Sequence, residues 1–81
     1  MKVRVLFFAS YSDLVGQEEQ EVTVAAPATV ADLLRHLRAA LPGADRLPDR
    51  PLVAVNHAHS GMDAALAEGD EIALLPPMAG G

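Results

Sequence analysis

The stretch Thr29-Val30-Ala31-Asp32-Leu33-Leu34-Arg35-His36-Leu37-Arg38-Ala39-Ala40-Leu41-Pro42-Gly43 decides the fold. Val30, Leu33, Leu34, Leu37 and Leu41 recur at the spacing of one helical face, while Arg35, His36 and Arg38 fall mostly off it. Thr29 reads as the N-cap, and Asp32 three residues later completes a capping box. Pro42 cannot continue the helix and Gly43 suits its exit, so the helix is predicted to stop at Leu41. A helix with a single apolar stripe needs one apolar surface to lie on.

Strands on both sides supply that surface. Upstream, residues 2–9 alternate, with Val3, Val5 and Phe7 on one face. Residues 10–16 read as a connection that turns at Gly16. Glu21-Val22-Thr23-Val24 then forms a second strand, so the first half is hairpin-like. Downstream, residues 42–51 read as a loop holding three prolines, Leu52–Val55 as a strand, and residues 56–69 as turns with room for one helical turn at Asp63–Leu66. Glu68-Gly69-Asp70 is a tight turn, and Glu71–Leu75 is a last strand ended by Pro76-Pro77. Two strands, a helix and two strands give an α+β β-grasp roll, a mixed sheet of four to five strands with one main helix across one face. A ferredoxin-like domain needs a second long helix, which residues 56–69 cannot supply.

Composition narrows the function. With 81 residues there is room for one small domain, expected over 1–77, followed by a tail at 78–81. The chain has no cysteine, which excludes disulfides, thiolate metal sites and a cysteine nucleophile. A net charge of −5 leaves no electrostatic footprint for nucleic acid or an anionic membrane and suits a basic protein partner. The opening apolar run is too short for a signal or a membrane span, and with the missing cysteines this points to the cytoplasm. Conventional sites are poorly represented. His57 and His59 straddle Ala58 but find no third ligand nearby in sequence, so they read as exposed turn histidines and no metal is expected. The runs Glu18-Glu19 with Glu21, and Glu68 with Asp70-Glu71, read as solvated faces. No catalytic constellation of the chain's own is visible.

The end of the sequence stands out instead. After Pro76-Pro77 come Met78-Ala79-Gly80-Gly81. Glycines lack Cβ and can enter a narrow channel. Four extended residues reach about 13–14 Å, enough to carry a terminal carboxyl into a partner's buried site. A carboxylate is a poor electrophile, so its use requires activation, most directly as an acyl-adenylate made from ATP by a partner.

Leu6-Phe7-Phe8-Ala9, Leu14-Val15-Gly16, Val55-Asn56, Leu66–Ile72 with its Gly69-Asp70-Glu71, and Leu75–Gly81 together resemble the small subunits of molybdopterin synthase, ubiquitin-like sulfur carriers. The resemblance implies adenylation of Gly81 by an activating enzyme related to ubiquitin-activating enzymes, with ATP used there and no cofactor bound by the carrier. It implies conversion to a thiocarboxylate by a sulfur donor such as a cysteine desulfurase or rhodanese. The tail would insert into a large subunit and pass sulfur to cyclic pyranopterin monophosphate for molybdenum cofactor. Gly80 would keep the tail slim. The sequence departs from the family at Ser12-Asp13, where Arg-Glu is frequent, at Leu74-Leu75, where an aromatic is common, and at His59, a position often aliphatic. Two other readings stand beside this one: a carrier for thiamin thiazole, for tRNA thiolation or for protein tagging, and a non-catalytic ubiquitin-like interaction module.

Alternation also predicts a partner surface. If Val3, Val5, Phe7, Val22, Val24, Val53, Val55, Ile72 and Leu74 meet the helix, the other face carries Lys2 and Arg4, then Leu6 and Phe8, and Glu71, then Ala73 and Leu75. Parallel pairing of the first and last strands would merge Leu6, Phe8, Ala73 and Leu75 into one apolar patch beside Pro76, Pro77 and the tail, with Phe8 as anchor, unless residues 57–62 cover it.

Overall fold

The computed structural model describes residues 1–77. Five strands, β1 (Lys2–Phe7), β2 (Glu19–Thr23), β3 (Leu52–Val55), β4 (Ala58–Ser60) and β5 (Glu71–Leu75), form one mixed sheet in the order β2-β1-β5-β3-β4. β1 pairs antiparallel with β2 and parallel with β5, and β5 and β4 both pair antiparallel with β3. Two helices accompany the sheet, α1 (Ser10–Val15) and α2 (Val30–Ala40), with a 3-10 turn at Ala44–Arg46.

α2 is the predicted helix, with Leu41 as its C-cap. The Thr29 hydroxyl accepts the Asp32 N–H at 3.3 Å, and the Asp32 carboxylate accepts the Thr29 N–H at 2.9 Å, so two orphan donors are satisfied reciprocally. Those bonds, led by the Thr29 N–H and followed by Arg35 at 3.0 Å, hold the Asp32 carboxyl below the usual carboxylate range. Val30, Leu33, Leu34 and Leu37 are fully buried against Val3, Val5, Phe7, Val22, Val53, Ile72 and Leu74. Val55, expected in that core, is only half-buried at its margin, as is Leu41.

Several boundaries and elements differ from the sequence reading. β1 ends at Phe7 because Ala9, at φ 50, turns the chain out of the sheet. β2 starts two residues earlier than expected and ends at Thr23. Residues 10–16 are not a plain connection: six of them make α1, which buries Tyr11 in the core. Residues 56–60 are a two-residue hairpin rather than loose turns. Asn56 and His57 both have positive φ, at 49 and 72, the twist a tight hairpin demands, and Val55 pairs directly with Ala58. The helical turn expected at Asp63–Leu66 is absent; Ala65 instead bridges to Thr29, and the Ala64 and Met62 carbonyls accept the Val30 and Ala31 N–H groups.

Candidate functional site

The face of the sheet opposite α2 is laid out in rows by the strand register. One row runs Glu21, Arg4 and Glu71, with the Asn56 N–H on the Glu71 carbonyl at 2.8 Å. The next runs Glu19, Leu6, Ala73, Ala54 and His59 across all five strands. The last places Leu75 opposite Leu52, with Phe8 alongside, its N–H donating to the Leu74 carbonyl at 3.2 Å.

The first row is ionic. The Arg4 Nη2 lies 2.5 Å from the Glu71 Oε1, Arg4 Nε is 3.7 Å from Glu19, and Lys2 is 3.7 Å from Glu21. The hydrogen bond that Arg4 donates to Glu71, then the charge of Glu71 and that of Glu19, raises the already high pKa of Arg4. Gly69-Asp70-Glu71 and Val55-Asn56 meet here. The Asp70 carboxylate accepts the Ala67 N–H at 2.8 Å and the Asn56 side-chain amide at 2.9 Å, while the Asn56 side-chain carbonyl accepts the Glu71 N–H at 3.0 Å. These bonds tie the β3–β4 hairpin to the start of β5, so the motif is a brace that sets the sheet's register.

The last row is apolar and open. Phe8 is 43% exposed and Leu52 48%, the two large apolar residues most exposed among those described. Leu6, Ala73, Leu75 and Pro76 are half-buried and Pro77 is exposed. β1 and β5 thus pass from charge to hydrocarbon toward their C-terminal ends, where Phe8 follows one and Leu75 closes the other. Residues 58–60 do not lie over this patch; they pair beside β3 and extend the sheet at its margin. The structure therefore brings together Leu6, Phe8, Ala73 and Leu75 as the alternation predicted, with Pro76 and Pro77 following directly on β5. It adds Leu52 and Ala54, which the sequence reading missed although Val53 on the core side already placed both on this face. Met78, Ala79, Gly80 and Gly81 lie outside the described residues.

His57 and His59 are both exposed. His57 sits in the hairpin turn with its Nε2 3.5 Å from Glu71, and His59 lies on β4 opposite Ala54. Among the described residues no three His, Asp or Glu side chains converge as metal ligands, and no helix is long and apolar enough to cross a membrane. What this face offers chemically is an exposed apolar patch at the end of β5, beside an ionic row.

Comparison with known proteins gives one consistent result. A model of the ThiS family matches residues 5–81. The molybdopterin synthase sulfur carrier subunit of Escherichia coli is 40% identical over 84 residues, covering 98% of this chain and 99% of that one. Its counterpart in Chlamydomonas reinhardtii is 34% identical over 83 residues with both chains covered in full. Among solved structures, SAMP1 from Haloferax volcanii superposes with a TM-score of 0.87 at 31% identity, covering both chains fully. A chain of the complex of subunits 1 and 2 of molybdopterin-converting factor from Helicobacter pylori superposes at 0.72 with 26% identity, again over 100% of each.

Proposed function

This chain belongs to the ThiS family, and from that premise we propose that it is a sulfur carrier, the small subunit of a molybdopterin synthase. The observation that carries the reading is likeness over the whole chain, at 34% and 40% identity, to two molybdopterin synthase sulfur carrier subunits. The exposed apolar patch beside the departing tail supports it. A carrier must be held by a partner that also receives its last residues, and the Helicobacter pylori complex is of that two-subunit kind.

Gly81 is the residue we assign to carry sulfur. Its carboxylate attacks the α-phosphorus of ATP on an activating enzyme, giving an acyl-adenylate and releasing pyrophosphate. The terminal sulfur of a persulfide on a donor such as a desulfurase or rhodanese then attacks the acyl carbon and displaces AMP, giving an acyl disulfide. A second thiol reduces its S–S bond, leaving as a disulfide with the donor's sulfur and releasing the thiocarboxylate. That sulfur is nucleophilic at neutral pH without a base on the carrier, so this chain needs no acid–base residues of its own. The large subunit holds the domain through Phe8, Leu6, Leu75 and their neighbours, and receives the tail. There the sulfur forms a bond to carbon of cyclic pyranopterin monophosphate, and water cleaves the acyl–sulfur bond, returning Gly81 to its carboxylate. We place this work in the cytoplasm.

Intact mass spectrometry tests the reading. Incubation with ATP, an activating enzyme and a sulfur donor should shift the mass by the exchange of one oxygen for sulfur. Deleting Gly81, or adding one residue after it, should abolish the shift while thermal unfolding moves by no more than about 0.5 kcal/mol. A blocked chain that still supports sulfur transfer would sink the proposal. A second reading, a carrier that also tags proteins, draws on the likeness to SAMP1; it predicts adducts of this chain on other proteins when the same mixture contains lysate.

A further inference from the structure

The two edges of the sheet differ. β4 offers three residues, whereas β2 offers five, Glu19–Thr23, and pairs with β1 alone. Met1 and Val24 exchange hydrogen bonds in both directions, at 2.7 and 2.9 Å, and the Phe7 N–H donates to the Glu18 carbonyl at 2.8 Å. Bonded and non-bonded pairs alternate along an antiparallel ladder. The pairs Val3–Val22 and Val5–Gln20 therefore carry the β1–β2 bonds, and the backbone groups of Glu19, Glu21 and Thr23 point outward over the edge. The Gln20 side-chain amide donates to the Glu21 carbonyl at 2.9 Å, an internal stand-in that an incoming strand would replace.

A groove of about 180 Å³ runs along this edge between β2 and α2. Val22, Leu37, Ala40 and Leu41 give it apolar walls, and Gln20, Glu21, Thr23 and His36 stand at its polar positions. On the opposite side of the strand the rim is acidic: Glu21 stands against Lys2 and Glu19 against Arg4, and Arg4 is also engaged by Glu71. Unpaired backbone groups, an apolar slot on one side and carboxylates on the other form a coherent pattern. They fit an extended segment whose side chains alternate between apolar and basic.

We propose that the β2 edge docks an extended basic segment of a partner protein, which adds a sixth strand to the sheet. Its backbone bonds Glu19, Glu21 and Thr23, its apolar side chains enter the groove beside α2, and its lysines or arginines lie against Glu19 and Glu21. The site borders the apolar patch where Glu19 stands opposite Leu6 but uses the strand edge and the α2 side rather than the face of the sheet, and it does not depend on the sulfur-carrier reading.

The probe is a blocked heptapeptide alternating valine and lysine, titrated into the isotope-labelled full chain. The largest amide shifts should fall at Glu19, Glu21 and Thr23, and a valine–glutamate peptide should bind at least about ten-fold more weakly. Glu21→Pro removes an outward N–H at an edge position where proline is tolerated. Ala40→Arg fills the groove from an exposed helical position and keeps the test decisive if the proline variant unfolds. Each folded variant should lose at least about ten-fold in affinity. Absence of binding at millimolar peptide, shifts centred on β4 or on the Phe8 patch, or full binding by Ala40→Arg would overturn the proposal.

Discussion

Gly43 is the residue at which the chain is most tightly constrained. It follows the end of α2 with φ at 89, and a Cβ there would stand 2.0 Å from the Leu14 carbonyl oxygen. Both the backbone angle and the close approach of α1 require glycine. Gly16 has a similar angle, φ 76, but open space around it. Gly43→Ala should therefore destabilise by about 1–3 kcal/mol or more, and Gly16→Ala by only about 1 kcal/mol. Thermal unfolding of the two variants checks the order; equal losses would show that the contact with Leu14 relaxes freely. Single residues also mark where alternation reads well and where it does not. Leu6, Phe8 and Leu75 could be placed on the outer face from period two alone. Leu52 is legible in the same way, since its neighbour Val53 faces the core.

At the scale of elements, α2 was legible because every local signal agreed: cap, stripe and stop all fall within the fifteen residues Thr29–Gly43. Its capping box also makes it pH-sensitive. The Asp32 carboxyl titrates below its ordinary value in the folded chain, chiefly through the Thr29 N–H. Its contribution is thus complete above the unfolded value of about 3.9 and lost as pH falls through the lower folded one. Asp32→Asn should be less stable than the parent at pH 6, and the gap should close as melts are repeated toward pH 2. A gap that stays constant would mean the charge is irrelevant to the cap. α1 was missed for the opposite reason. Ala9 supplies no side-chain cap, the helix is six residues long, and only Tyr11 is buried. It forms because the chain leaving β1 is folded back onto the core, a tertiary cause with no periodic trace. β4 is three residues, too few for a pattern, and its one clue was Asn56 at the turn.

On the scale of the whole molecule, the outer face is ionic where Arg4, Glu19, Glu21 and Glu71 meet and apolar where Phe8, Leu52 and Leu75 lie. Such a patch gives a lone domain no stability and exposes it to association. Phe8→Arg and Leu75→Glu should leave the unfolding temperature nearly unchanged and weaken binding to a large subunit by more than about 1–2 kcal/mol. Calorimetry on the purified pair measures it; variants that fold yet bind normally would remove this patch from the interface, and variants that unfold would place these residues in the core.

The parallel pairing of β1 with β5 carries a further meaning. Arg4 and Glu71, in contact across that pair, are 67 residues apart. Neither strand alone displays the apolar row, since Leu6 and Phe8 come from one and Ala73 and Leu75 from the other. Closing so long a loop is slow and comes only with nearly the whole chain in place. A growing or clipped polypeptide therefore offers its partner nothing to grip. If the partner grips this face as proposed, its recognition doubles as an inspection, admitting only molecules whose first and last strands have found each other.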